Sequence, residues 1–307
     1  MLRFGLKYRT CLVTGGTKGI GKAIVEEFCA LGAQIFTCAR NEEELSMNLN
    51  AWKNKGFNVQ GCIADVSIRE DRVHLIAKVH EAFGGQLHVL VNNVGTNVRK
   101  PTVEYTDQEY QHIMSTNLES AYHLTQLCHP LLKRGATQDI ISSRPRNPIS
   151  SSSCELNNPP GAGGDAFNAT SSTAEKGATQ RAAAGSVVLF NSSVAGGPTA
   201  MWSGTVYAMT KAALNQLTRN LACEWAADGI RVNSVAPWYT ATSLAYQVLQ
   251  DEKLKAEVLA HTPMKRIGLP EEVASVMSFL AGPGASFVTG QTIAVDGGYS
   301  VLGFYRS

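Results

Sequence analysis

From Thr10 onward the chain repeats one pattern: a short apolar run that stops at glycine or a polar residue, then a longer stretch in which apolar side chains recur every three or four positions. "TCLVTG" is the first such run, and residues 19–32 follow with Ile20, Ala23, Ile24, Glu27 and Phe28 at helical spacing. "AQIFTCAR", "FNVQGCIADV" and "LHVLVNNVG" repeat the strand signal, separated by the helical stretches "EEELSMNLNAWKNK" and "REDRVHLIAKVHEAF". A helix near 107–133, the strand "GSVVLFNSS", a long helix from about Tyr207 to Asp228, and the strands "IRVNSVAP" and "QTIAVDGG" continue the series. Strands of nearly continuous Val, Ile and Leu that alternate with helices belong to a parallel sheet covered on both faces. The pattern therefore predicts an α/β fold, a doubly wound parallel sheet with helices on both sides.

One segment breaks the rhythm. Residues 134–184 are rich in Ser, Asn, Gly, Pro, Ala and Thr, with Phe167 as their single aromatic. Such a composition does not bury enough apolar surface to offset the entropy of ordering, so a disordered excursion is expected to interrupt one domain spanning residues 1–307. A structureless loop this long ordinarily counts against the elements around it, yet the flanking helix and strand signals are clear. The segment is read as an insertion, either an idle loop or translated sequence that a normally processed transcript would lack. "NAT" at Asn168 fits a glycosylation acceptor, but nothing else in the chain points to the secretory path.

Composition narrows the partners. A chain of 307 residues that is 44% hydrophobic is long enough for one sizeable core. With 27 basic and 25 acidic side chains the net charge is +2, which gives no electrostatic reason to expect nucleic acid or an acidic membrane surface. The seven cysteines are scattered without a C-x-x-C pair, against both a disulfide framework and a zinc site. Cys128 and His129 are neighbours, but no second pair stands at ligand spacing, and no metal is expected. No apolar run approaches the ~18 residues of a membrane span, and the stretch before the first glycines is too short for a signal peptide. These features lead us to expect a soluble cytoplasmic protein acting on a small molecule.

Two motifs carry chemistry. "TGGTKGIG" sets Gly15, Gly19 and Gly21 between a strand and a helix, where backbone amides at the helix N-terminus can face a pyrophosphate with no side chain between. Its spacing is G-x-x-x-G-x-G, not the G-x-G-x-x-G of ordinary dinucleotide folds. "TVYAMTK" places Tyr207 and Lys211 four apart on one helix face. An ammonium beside a phenol favours the phenolate, lowering a pKa of ~10 and making Tyr207 usable as acid and base near neutral pH.

"TGGTKGIG", "NNVG" at residues 92–95, Asn117, Ser193 and "YAMTK" stand in the order found in the short-chain dehydrogenase/reductase family, which the chain resembles over residues 8–299 apart from the insertion. "LNQLTRNLACEWAADGIRVNSVAPWYTATSL" and "GQTIAVDGG" are most similar to the plant tropinone reductase-like branch. The resemblance implies a Rossmann-type single domain and the catalytic set Asn117, Ser193, Tyr207 and Lys211. In that set the serine hydrogen-bonds the substrate oxygen, the lysine also holds the nicotinamide ribose, and the asparagine keeps a water linking the lysine to solvent. It further implies cofactor contacts at Gly15, Thr17, Lys18, Gly19, Ile20 and Gly21, a pocket wall at Asn92 and Gly95, an adenine contact at Asp65 and a carboxamide contact at Thr242. Homodimers or homotetramers built through the long helices after residues 107 and 207 are also implied.

Departures from the family pattern are few. Ser193 stands fourteen residues before Tyr207 where thirteen is usual, so the loop "VAGGPTAMWSG" carries one extra residue, which loops tolerate. Ser192 is the competing choice for the catalytic serine. Val94 replaces the commoner alanine, and Trp238 stands where the family has the glycine of Pro-Gly. Trp238, Tyr239 and Trp202 either line an apolar substrate pocket or pack beneath a loop.

Cofactor choice rests on charge. After the second strand an acidic residue would accept from the adenosine ribose 2′-hydroxyl and repel a 2′-phosphate; Arg40 stands there instead, and Lys18 lies within the glycine loop. Both favour NADP(H). The expected function is an NADPH-dependent reductase of a small, largely apolar ketone, reversible as an alcohol oxidation, with the variable residues 240–268 as the lid over the substrate. The rival is an NADP-binding sensor or scaffold without turnover, which a "GSVVLFNSS" strand displaced from the sheet, and with it a misplaced Ser193, would favour.

Overall fold

The apolar runs assemble side by side. A computed structural model describes residues 5–143 and 185–304. Its strands are β1 (Thr10–Thr14), β2 (Gln34–Ala39), β3 (Val59–Ile63), β4 (Val89–Asn92), β5 (Ser186–Asn191), β6 (Ile230–Pro237) and β7 (Thr292–Val295). They form one parallel sheet in the order β3-β2-β1-β4-β5-β6-β7. The order reverses between β1 and β4, the place where open α/β sheets leave a crevice at their carboxyl ends.

Strand alternation divides the core in two. On one face Leu12, Leu90, Val188 and Val232 pack with Leu75 and Val79 of α3 (Arg69–Phe83) and Leu214 of the later helix Thr205–Glu224. On the other, Val13, Val91, Leu189 and Val235 meet Ile24 and Phe28 of α1 (Gly19–Ala30) and Met277 of the last long helix, Pro270–Ala281. Each such side chain, fully withdrawn from water, contributes about 1.5–3 kcal/mol. The second helix, α2 (Glu42–Asn54), starts at Asn41, whose side chain accepts from the Glu44 amide.

The helix predicted near 107–133 is built in three parts: α4 (Asp107–Met114), a widened π-type turn over Ser115–Glu119, and α5 (Ser120–Ser143). Thr106 and Glu109 close a capping box at its start. The helix therefore runs ten residues past the expected start of the insertion at 134, because Gly135 and Ala136 present a buried face where larger side chains could not enter. A Cβ on Gly135 would stand 2.3 Å from the carbonyl oxygen of Leu87. The rest of the expected insertion, residues 144–184, with Phe167 and Asn168, lies outside the described residues. β5 follows it and keeps full register with β6 from Ser186 to Asn191, so the displaced strand that would have favoured a non-catalytic reading is not what is found. Beyond β5 come α6 (Thr205–Glu224), the lid helices α7 (Ser243–Leu249) and α8 (Glu252–Ala260), and α9 (Pro270–Ala281). Among the described residues no helix is long and apolar enough to cross a membrane.

Alanine is ordinarily better than glycine inside a helix by about 1 kcal/mol, so position 135 separates propensity from packing. Gly135→Ala should lower the thermal unfolding midpoint, and a raised midpoint in a melting experiment would show that α5 does not press on the Leu87 backbone ahead of β4.

Candidate active site

The glycine turn after β1 is shaped by what surrounds it. Gly15 takes φ +68° and Gly19 φ +50°, the left-handed region that side chains disfavour. A Cβ on Gly21 would lie 2.2 Å from the Gly15 oxygen and 2.5 Å from Asn93 Nδ2. α1 starts at Gly19 with Lys18 as its cap, leaving the first-turn amides facing the crevice with no capping side chain of their own. This bare backbone cradle, which side chains would fill, fits the pyrophosphate of a dinucleotide. Thr242 caps α7 and packs its methyl against the Gly19 position, and Ile20 reaches the adjoining cavity.

At the adenosine end, Lys18 pairs with Glu44 and Arg40 lies 3.8 Å from Asp65. Both cations are well exposed, 63% and 71%. Burial pushes the Asp65 carboxyl up, but hydrogen bonds from the Ser67 hydroxyl and amide and the nearby Arg40 cation bring it below its ordinary value.

Alternation along β4 decides which asparagine serves the site. Asn92 points to α5 and donates to Thr125 at 2.9 Å, away from the crevice where its motif had placed it as a pocket wall. Asn93 faces the crevice instead, donating to the carbonyls of Thr14 and Gly15 and accepting from Asn191 Nδ2 at 2.9 Å. Gly95 packs between Lys211 Nζ and Asn117 Oδ1, 3.5 and 3.6 Å from where its Cβ would be.

Ser193, Tyr207 and Lys211 line one cavity of about 360 Å³. Ser193 caps a short 3-10 turn and accepts from the Ala195 amide. Ser192, the competing choice, is spent on the Lys211 carbonyl and Asn215. The extra residue of the serine-tyrosine loop is absorbed without parting the two side chains. Lys211 is 3% exposed and donates to the Asn191 carbonyl at 2.8 Å, its ammonium 5.4 Å from the Tyr207 ring centre. Burial pulls the Lys211 ammonium down to about 8. Burial also raises the Tyr207 phenol, against the lowering effects of Ser193 and the cation of Arg99. In the protein alone, therefore, Tyr207 is held protonated rather than driven toward phenolate.

Asn117 sits in the π-type turn, 1% exposed, and its amide is fully used: Oδ1 accepts from the Thr96 amide, and Nδ2 donates to the Thr96 carbonyl and Thr210. It braces the loop after β4 against α6. π-type turns commonly mark functional sites.

The aromatic residues both pack and line the pocket. Trp238 stacks on Tyr299 at 3.7 Å, meets Tyr239 edge-on at 4.7 Å and donates from Nε1 to Thr262. All three face the cavity, with Trp202 on its rim. Sequence reasoning missed Asn93, Asn191, Arg99, Ser203 and Tyr299. Asn93 had a signal as the second residue of "NNVG", whereas Arg99, Ser203 and Tyr299 reach the cavity only through loop geometry. Among the described residues no three His, Cys, Asp or Glu side chains converge as a metal site, and His129 beside Cys128 pairs with Asp228 at 2.8 Å.

A doubly wound sheet with a glycine cradle at its switch point and a serine, tyrosine and lysine gathered beside it defines a dinucleotide-dependent oxidoreductase. Family models agree: one described as short chain dehydrogenase matches residues 9–153, and one described as enoyl-(acyl carrier protein) reductase matches residues 165–300. The chain is 47% identical over 302 residues to a tropinone reductase homologue of Arabidopsis thaliana, covering 98% of this chain and 96% of the relative. A second homologue from the same plant, named as chloroplastic, is 45% identical over 303 residues, 99% of this chain and 79% of its own length. A solved gluconate 5-dehydrogenase of Burkholderia cenocepacia, in complex with NADP and tartrate, superposes with a TM-score of 0.76 at 25% identity over 98% of both chains. The chain belongs to the short-chain dehydrogenase/reductase family, in its tropinone reductase-like branch.

The crowding at Gly21 sets a test of the cradle. Gly21→Ala should weaken nicotinamide dinucleotide binding at least about tenfold in a fluorescence titration while unfolding stays cooperative, and unchanged affinity would remove this turn from the binding site.

Proposed function

We propose that the protein is an NADPH-dependent reductase of a small ketone, running in reverse as an alcohol dehydrogenase. The observation that carries this reading is the convergence of Ser193, Tyr207 and Lys211 on one cavity that also touches Ile20 of the glycine turn. Gly15, Thr17, Lys18, Gly19, Ile20, Gly21, Gly95 and Thr242 would hold the dinucleotide, with Lys211 at its ribose. Bound there, it supplies the hydride.

The chain's own residues handle the oxygen. Ser193 Oγ donates a hydrogen bond to the carbonyl oxygen and polarises it. Tyr207 gives that oxygen its proton as the alkoxide forms, and burial, by keeping the phenol protonated, supplies the form that reduction consumes. Lys211, a cation below about pH 8, stabilises the phenolate left behind. Asn117 holds the Thr96 loop and Thr210 so that the lysine and tyrosine keep their places.

Arg40 and Lys18 support NADPH over NADH. Their present partners, Asp65 and Glu44, form exposed pairs worth at most about 1 kcal/mol, which a 2′-phosphate can displace. Exposed Tyr110, Tyr122 and Met209 on α4, α5 and α6 fit the expected homodimer or homotetramer. The thiols, free among the described residues, suit a reducing compartment, and we assign the protein to the cytoplasm.

The test is oxidation of NADPH, with NADH in parallel, by wild type and Tyr207→Phe against a panel of small cyclic and aliphatic ketones. Turnover should be faster with NADPH and fall roughly a hundredfold or more in the mutant; tight NADPH binding with no turnover in either direction would replace the reductase with a sensor. In a pH profile, kcat/KM for reduction should hold steady below about pH 8 and fall above it as Lys211 loses its proton, and a rise across that range would overturn the assignment of proton donor.

A further inference from the structure

The cavity holds two hydrogen-bond donors that the reaction does not use. Arg99 comes from the loop after β4 and Ser203 from the loop before α6, and both line the same wall space as Tyr207. Arg99 Nε is shielded from solvent and has no hydrogen-bond partner. Among the described residues no carboxylate pairs with this guanidinium, whose carbon lies 5.8 Å from the centre of the Tyr239 ring. Ser203 is 8% exposed, and its Oγ is likewise without a partner. Buried donors left unpaired are costly, and here both belong to residues that line one cavity, next to a guanidinium with no carboxylate beside it; an acceptor entering the cavity would relieve that cost.

Their positions are fixed by an interlock between the two loops. Asn97 Nδ2 donates to the Ser203 carbonyl at 2.9 Å, and the Tyr105 hydroxyl donates to the Val98 carbonyl at 2.6 Å. Gly204 adopts φ +90°, and a Cβ there would stand 2.4 Å from the Tyr105 hydroxyl and 2.8 Å from the Val98 oxygen. Arg99 and Ser203 thus hang from the two halves of one braced junction. The other cation lining the cavity, Lys211, is committed to the Asn191 carbonyl, and the carboxylate of the lining set, Glu257, is exposed on lid helix α8. Glu257 is the Asp, Glu, Lys or Arg that the lid contributes to the cavity lining, and a cation enters from the loop after β4.

We propose that Arg99, assisted by Ser203, is the specificity-determining group for a carboxylate on the substrate, so that the ketone reduced is an oxo acid and not a basic amino ketone. Charge-assisted hydrogen bonds from a half-buried guanidinium suit a carboxylate, while a protonated amine would face an uncompensated cation. Trp238, Tyr239 and Tyr299 offer the flat apolar surface for the carbon skeleton between the carboxylate and the reacting carbonyl. This inference rests on the reductase reading of the same site.

The experiment compares kcat/KM with NADPH for an oxocyclohexane carboxylate, the corresponding methylcyclohexanone and quinuclidinone, in wild type, Arg99→Leu, Arg99→Lys and Ser203→Ala. Wild type should prefer the carboxylate over the neutral ketone by about tenfold or more, with quinuclidinone poorest. The ratio should collapse toward one in Arg99→Leu and recover in part in Arg99→Lys. In parallel, binding of cyclohexanecarboxylate in the presence of NADP+ is followed by calorimetry, which needs no turnover. Neutral ketones reduced as well as the carboxylate by wild type would overturn the proposal and leave the reductase standing. Were no ketone reduced, the reductase would fall, and the anion subsite would stand or fall by the calorimetry: carboxylate binding that Arg99→Leu abolishes supports it, and absence of binding to wild type ends it.

Discussion

The side-chain amide of Asn93 donates to the carbonyls of Thr14 and Gly15, and its oxygen accepts from Asn191, so the ends of β1, β4 and β5 are tied at the point where the strand order reverses. Asn191 then passes the constraint on, since its backbone carbonyl receives the Lys211 ammonium. One line of hydrogen bonds thus runs from the glycine turn to the lysine beside Tyr207. Cradle and catalytic side chains, which lie almost two hundred residues apart in the chain, keep a common frame because of it.

That frame holds a strained electrostatic arrangement. Lys211 is withdrawn from water with one carbonyl as its hydrogen-bond partner, and burial lowers its proton affinity. The same burial raises the affinity of the Tyr207 phenol. The two shifts bring an ammonium and a phenol, ordinarily both protonated well above neutrality, into unequal states: one close to releasing its proton, the other retaining it. Neither condition belongs to an exposed helix face. Both need the sheet below, the Asn117 brace on the π-type turn and the lid above.

Much of this was legible in the residues. Seven runs with helical stretches between them became seven parallel strands, and the central ones, β1, β4, β5 and β6, are buried on both faces, whereas the edge strands β3 and β7 are partly exposed. The glycines of "TGGTKGIG" were legible because positive φ and close backbone approach admit no other residue. Less visible was how far α5 runs: Gly135 weakens a helix by propensity, yet here it is what lets the helix lie against Leu87. Asn92 and Asn93 looked interchangeable in "NNVG", and only the phase of the strand turned one toward Thr125 and the other toward the crevice.

The sequence by itself determined the fold class, the cradle, the order of the chemical groups and the pairing of Tyr207 with Lys211, because each is a local matter of periodicity, backbone freedom or spacing along one helix. Tertiary structure alone decided that the Ser192 hydroxyl is spent on the Lys211 carbonyl and Asn215, how burial sets the two proton affinities, and that Arg99, Ser203 and Tyr299 enter the pocket. Those properties depend on loops brought together across the sheet and on the water that their meeting excludes, neither of which leaves a pattern in consecutive residues.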